Sequence, residues 1–128
     1  MADDTGSEER QEARTQKRYR VKENTLAFNN FTFAEIIDIS EGGLSCSYLM
    51  NLHETSANIT SIDLLNGAEK LHVGDIGCTQ VQYRDELLSQ SLPFTVRRVC
   101  GVKFTSLDQS KRQQLKNFIL KSRLEPDM

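Results

Sequence analysis

Apolar and polar positions alternate along most of this chain with a period of two, the pattern of strands that bury one face. Thr25-Leu26-Ala27-Phe28 and Phe31-Thr32-Phe33-Ala34-Glu35-Ile36-Ile37 flank an Asn29-Asn30 turn and read as two strands, the first β pattern beginning near Val21. Ile36, Ile37 and Ile39 are β-branched, which suits a pleated surface. Ser40 to Gly43 reads as a tight turn in which two glycines are free to take positive φ, and Leu44 to Leu49 as the strand after it. Asn51 to Asn58 is polar and predicts a loop. Ile59 to Leu65 alternates as far as Asn66-Gly67, a hairpin signal, with Lys70 to Val73 returning. Gly74-Asp75 predicts a further turn, Gly77 to Tyr83 another strand, and Asp85 to Gln90 a linker. Phe94 to Val99 and Gly101 to Phe104 are the last strands, with Gly101 marking a bulge or bend between them.

The period then changes. Ser106-Leu107-Asp108-Gln109 matches a capping box, with Ser106 as the N-cap and Gln109 reaching back. Leu115, Phe118 and Ile119 fall on one helical stripe, while Lys111, Arg112, Lys116 and Lys121 point elsewhere. Lys121 and Arg123 suit the negative end of the helix dipole, and Pro126 lies past the helix end. Short strands, frequent Gly/Asn/Asp turns and one terminal helix predict a mainly β protein, an antiparallel barrel with the helix across one mouth. Residues 1–12 are polar and without periodicity, and are expected to form a flexible tail.

Composition narrows this picture. At 128 residues, with 38% hydrophobic and 27% charged residues, the chain supports one soluble domain with one modest core. No apolar run is long enough to span a bilayer, and the polar start Met1-Ala2-Asp3-Asp4 does not resemble a signal peptide. The three cysteines, Cys46, Cys78 and Cys100, lack metal-type spacing; Cys46 and Cys100 sit in strand-like runs and are expected to be buried free thiols, which fits a reducing cytoplasm. Net charge is −2, so the whole chain does not attract polyanions. Locally, however, Arg10, Arg14, Lys17, Arg18, Arg20 and Lys22 face only Glu12. A short cationic segment on a mildly acidic protein suits a compact anion better than a long one.

Two stretches carry candidate chemistry. Asp38-Ile39-Ser40-Glu41-Gly42-Gly43 sets a carboxylate, a hydroxyl and bare backbone at a strand end. Upstream, Arg14 and Arg18 stand four apart. On the residues alone each has a plain reading as well: Asp38 as the acceptor of an Asx-turn, and the arginines as one solvated face of a short helix.

Taken together, R-x-x-x-R followed by [D/N]-x-S-x-x-G at a strand-turn-strand corner resembles the PilZ domain, a bacterial receptor for cyclic di-GMP. The resemblance extends to Arg98-Val99-Cys100-Gly101-Val102-Lys103-Phe104, similar to the family's late core strand, and to the terminal helix. It implies a six-stranded antiparallel barrel with a C-terminal helix over residues 13–124: an arginine-bearing arm at 13–22, a barrel at 24–105 and a helix at 107–124. It implies that Arg14 and Arg18 hold phosphate and guanine, that Asp38 and Ser40 receive the ligand on the barrel face, and that Gly43 maintains the turn. Gly42 is not a defining position. The chemistry is apt: guanidinium forks to phosphate or to guanine O6 and N7, and a carboxylate accepts from guanine N1–H and N2–H. An arm that orders over the ligand would relay the signal to an effector protein. Ala13, where many family members carry arginine, leaves ligand stoichiometry open, and Lys17 and Arg20 could assist or simply be solvated.

Other classes fit less well. His53 and His72 stand alone, with no nucleophile elbow, H-E-x-x-H or C-x-x-C, so no enzyme, cofactor or metal is expected. A nucleic-acid barrel would want exposed aromatics and a basic face, whereas this chain has no Trp and its six Phe fall in core-like patterns. The competing reading is a PilZ-type adaptor working by protein contact without nucleotide.

Overall fold

The computed structural model describes residues 17–30, 32–51 and 59–124. Among these residues seven strands, β1 (Tyr19–Arg20), β2 (Thr25–Phe28), β3 (Phe33–Ile39), β4 (Gly43–Asn51), β5 (Ser61–Asn66), β6 (Leu71–Leu87) and β7 (Thr95–Phe104), precede one helix, α1 (Gln109–Ser122). All pairings are antiparallel. Following them from β2 through β3, β4, β7, β6 and β5 leads back to β2, so six strands close into a barrel, and β1 adds a two-residue ladder on the end of β3. The closed six-stranded barrel with a C-terminal helix is as expected from the sequence.

The alternation does what it predicted. Ala34, Ile36 and Ile39 of β3, Leu44 and Cys46 of β4, and Cys100, Val102 and Phe104 of β7 all point inward into one core. Leu115, Phe118 and Ile119 of α1 join that core and seal one mouth. Two of the polar residues buried there are satisfied by each other: the Asn66 amide donates to Ser122 Oγ at 2.9 Å. Cys46, Cys78 and Cys100 are buried and free, with the sulfurs of Cys46 and Cys100 facing each other at 3.5 Å across the β4–β7 ladder. Burial pushes the Cys78 thiol up to about 11.

Several local expectations are corrected. The helix starts later and ends earlier than 107–124, and its N-cap is Asp108, whose carboxylate accepts from the Lys111 amide at 2.7 Å; Ser106 plays no such part. Asp is as good a cap as Ser and adds its charge to the positive helix end. Among the described residues strand pairing begins at Tyr19 rather than Val21. Gly74-Asp75 is not a turn but an irregularity within one continuous β6, where Asp75 takes φ 56° and its amide donates to Asp63 at 3.0 Å. Asp85 to Leu87 is not linker but strand. Residues 85–87 are exposed throughout, so no alternation reveals them. β7 runs unbroken through Gly101, and the bulge lies opposite, at Val81 of β6. After Asn66 the loop is four residues long, 67–70, and the left-handed residue is Lys70 (φ 55°) rather than Gly67. Of the phenylalanines, Phe104 and Phe118 are buried, but Phe33 and Phe94 are 62% and 57% exposed. The predicted loop over 51–58 keeps Asn51 as the last residue of β4, and 52–58 lie outside the described residues.

The β6 extension is held by an arginine on the inner face of β7. Arg98, paired across the ladders with Asp85 and Tyr48, forks onto Asp85 (Nε–Oδ1 2.8 Å, Nη2–Oδ2 2.9 Å) and lies 3.9 Å from the Tyr83 ring centroid. The bond from Arg98 holds the Asp85 carboxyl below its ordinary range. A carboxylate depressed in the folded state stabilises the fold above its unfolded value, about 3.9, and loses that contribution as pH falls through the folded value. Asp85→Asn is therefore expected to lower stability by about 2 kcal/mol at neutral pH, less than a fully buried pair because Asp85 is partly exposed. Urea titrations at several pH values should show the gap to wild type closing below about pH 4; a gap independent of pH would contradict this assignment.

Candidate functional site

The site is built at the end of β3. Ile36 pairs with Cys46 and Asp38 with Ser45, so Ile37 is an extra residue on β3. Such a bulge re-aims the side chain that follows it. Here it turns Asp38 outward beside Ser45 and returns Ile39 to the core, where it is fully buried. Beyond, β1 pairs Tyr19 with Ile39 and Arg20 with Asp38, which brings the preceding residue, Arg18, over the barrel face. Its Nη1 donates to Asp38 Oδ1 at 3.0 Å and to Ser45 Oγ at 3.2 Å. Ser45 in turn lies opposite Gly101, and Gly101 opposite Gln82. The register thus sets Arg20, Asp38, Ser45, Gly101 and Gln82 in one transverse row, with bare backbone at its fourth position.

The turn beneath this row is stapled from within. The Ser40 amide donates to Gly43 O at 2.8 Å, the Ser40 hydroxyl to the same oxygen at 3.3 Å, and the Gly42 amide to Ser40 Oγ at 3.2 Å. Gly42 O accepts from the Phe104 amide at 2.9 Å, fastening the turn to β7. Among the described residues no glycine has positive φ, so the turn does not use the freedom expected of Gly42 and Gly43. The demand on Gly43 is steric: a Cβ there would collide with the carbonyl oxygen of Val102.

Of the five residues singled out from sequence, Arg18 and Asp38 meet directly. Ser40 and Gly43 lie in the turn below; Ser40 is only 4% exposed, with its hydroxyl directed into the turn instead of outward. Arg14 lies outside the described residues. Ser45 was missed: the alternation of Leu44-Ser45-Cys46 marks it as outward, but only the strand register shows that it adjoins Asp38. Beside the arm, the Arg123 guanidinium lies 5.1 Å from the Tyr19 ring centroid, with the Lys17 ammonium 5.7 Å from the same centroid.

Elsewhere, His72 does not stand alone. Its Nε2 lies 2.8 Å from Asp63 Oδ2, and the Asp75 amide and His72 together hold the Asp63 carboxyl low. His72, Phe28 and Phe33 stack along the outer face, with centroids 6.1 and 5.3 Å apart. On that face a groove of about 290 Å³ opens between Phe33, Glu35, Ser47, Leu49 and Arg97. Among the described residues no group of three or more His, Cys, Asp or Glu could hold a metal ion, and no helix is long and apolar enough to cross a membrane.

No protein-family model matches this chain, and no curated protein matches it by sequence. Solved structures do match in fold. The PilZ domain of YcgR from Escherichia coli, with c-di-GMP, superposes with a TM-score of 0.60 at 12% identity, covering 83% of this chain and 88% of that one. YcgR from Escherichia coli in complex with c-di-GMP gives 0.57 at 13% identity, covering 83% of this chain and 44% of that one. The K. pneumonia MrkH–c-di-GMP complex gives 0.57 at 12% identity, covering 83% of this chain and 50% of that one. The chain thus has the PilZ-domain fold, and it spans about half the length of the two longer proteins.

The steric reading of the turn is tested by paired substitutions. Gly43→Ala should destabilise by at least about 2 kcal/mol, because backbone on both sides must move. Gly101→Ala, whose Cβ would meet only Val81 and Gln82 side-chain atoms at 3.5 and 3.6 Å, should change stability by less than about 0.5 kcal/mol. Denaturant midpoints of the two variants decide it, and equal effects would refute the close-approach argument.

Proposed function

We propose that this chain is a receptor for cyclic di-GMP, bound across the outward row at the β1–β3 junction. The observation that carries the reading is the β1–β3 register, with Arg18 against Asp38 and Ser45 on a PilZ-type barrel. In the bound state Arg18, joined by Arg14, turns its fork to phosphate and guanine, and the released Asp38 carboxylate accepts from guanine N1–H and N2–H. Ser40 and Gly43 hold the turn under the ligand, with Ser45 as a further hydroxyl on the row. Gly101 leaves room for a flat base.

Magnitudes favour such an exchange. The Arg18–Asp38 pair is exposed, 60% on the arginine side, and such pairs contribute at most about 1 kcal/mol. Two or three charge-assisted bonds to a desolvated nucleotide exceed that. The arm is also tied to the helix: Lys22 N donates to Ser122 O and Leu124 N to Arg20 O, each at 2.8 Å. Drawing Arg18 onto a ligand therefore pulls on the end of α1, and this displacement is what an effector protein would read. The protein acts as a binding and relay module in this reading, without catalysis. The adaptor reading is favoured by one fact, that the Asp38 carboxylate already has a partner within the chain, Arg18.

Calorimetry separates the two. Cyclic di-GMP should bind saturably, with no heat from GTP or single-stranded DNA. Arg18→Ala and Asp38→Ala should each weaken binding by at least about tenfold, the loss of one charge-assisted hydrogen bond. Absence of both heat and thermal stabilisation at high ligand concentration would leave the adaptor reading.

A further inference from the structure

The two halves of β6 have different neighbours. Its first half pairs with β5 as far as Gly77, and Cys78–Leu87 pairs with β7. Beyond the Cys78 amide, which bonds to Thr60, the outer edge of residues 79–87 has no strand beside it among the described residues. A free edge is a template for another strand, and proteins usually blunt it with charge or a bulge. This edge has its bulge at Val81 and also carries large exposed apolar side chains: Val81 at 61%, Tyr83 at 56% and Leu87 at 74% exposure. Its charges, Arg84, Asp85 and Glu86, form a distinctive order.

We propose that this edge is a homodimer interface, in which β6 of a second copy of the chain pairs antiparallel with it about a twofold axis at Asp85. A twofold pairing of identical strands is self-complementary, so residues equally distant from the axis face each other. With the axis at Asp85, Arg84 faces Glu86 of the second copy and Glu86 faces its Arg84. Within one chain these two already bond, Nη2 to Oε2 at 3.1 Å, so four charges of alternating sign would meet on one face of the joined sheet. On the other face Tyr83 meets Leu87 twice, covering four exposed apolar side chains. The apposed Asp85 residues do not repel strongly, because each is forked by its own Arg98. Moving the axis to Arg84 or Glu86 sets like charges face to face. The charges therefore select one register rather than block pairing. The result is a continuous sheet across two barrels, in which Gln82 lies both on this edge and at the end of the transverse row.

Mass measurement by light scattering over the micromolar range is the test. The wild type should approach twice the 14.6 kDa of one chain. Arg84→Glu should weaken the dimer at least tenfold, and the Arg84→Glu/Glu86→Arg double variant should restore it, since the swapped charges again face their opposites. Leu87→Asp, remote from the Arg84 charge, should also give monomers, and circular dichroism should show all variants folded. A monomeric wild type overturns the proposal, as does a dimer that ignores Arg84→Glu or one that the charge swap fails to rescue.

Discussion

The side-chain amide of Asn66 is fully buried and joins three parts of the molecule. Its backbone closes the barrel against Thr25, its Oδ1 accepts from the Glu69 amide at 3.1 Å to shape the loop, and its Nδ2 donates to Ser122 at the end of the helix. A buried amide without partners would cost about 1–3 kcal/mol, so the helix is held at the one position that satisfies it. The consequence extends outward. Ser122 O accepts from the Lys22 amide, and the residues before Lys22 form β1. β1 lies along the end of β3, and that pairing positions Arg18 over Asp38. A buried polar contact at the sealed mouth thus determines the geometry of an exposed ion pair on the outer wall.

How much of this could be read from sequence follows from burial. Wherever one face of a strand is buried and the other is not, alternation located the strand, as in β3, β4 and β7. Where both faces are solvated, as at residues 85–87, alternation has nothing to report, and a strand held by main-chain bonds and by Arg98 looked like a linker. The site divides in the same way. Asp38 and Arg18 were legible as motif positions, but Ser45 and Gln82 join the row only through ladder register, which depends on a bulge at Ile37 that no local pattern marks. Bulges at Ile37 and Val81 and the irregularity at Gly74-Asp75 are the points where the reading failed or fell short.

Glycine chemistry shows a second kind of limit. A glycine pair after a strand suggests positive φ, yet the left-handed residues are Asn24, Lys70 and Asp75, and Gly43 is needed for the approach of β4 to the Val102 carbonyl. The same residue type answers two different constraints, and only the neighbouring strand distinguishes them. Ser40 is comparable: its hydroxyl fixes the turn beneath the Asp38 carboxylate instead of facing outward.

The two arginine–aspartate pairs make the division of labour clear. Arg98–Asp85 is bidentate, 9% and 27% exposed, and backed by an aromatic ring, so breaking it strands a charge in a half-buried place. Arg18–Asp38 has one bond and lies 60% and 28% exposed, so water replaces either partner at little loss. A pair of the first kind fixes structure, and one of the second kind leaves both partners open to exchange with solvent. The same two residue types therefore yield a brace on the inner face of the barrel and a looser contact on the outer one, and the difference lies in the burial of the arginine, the number of bonds and the ring behind it.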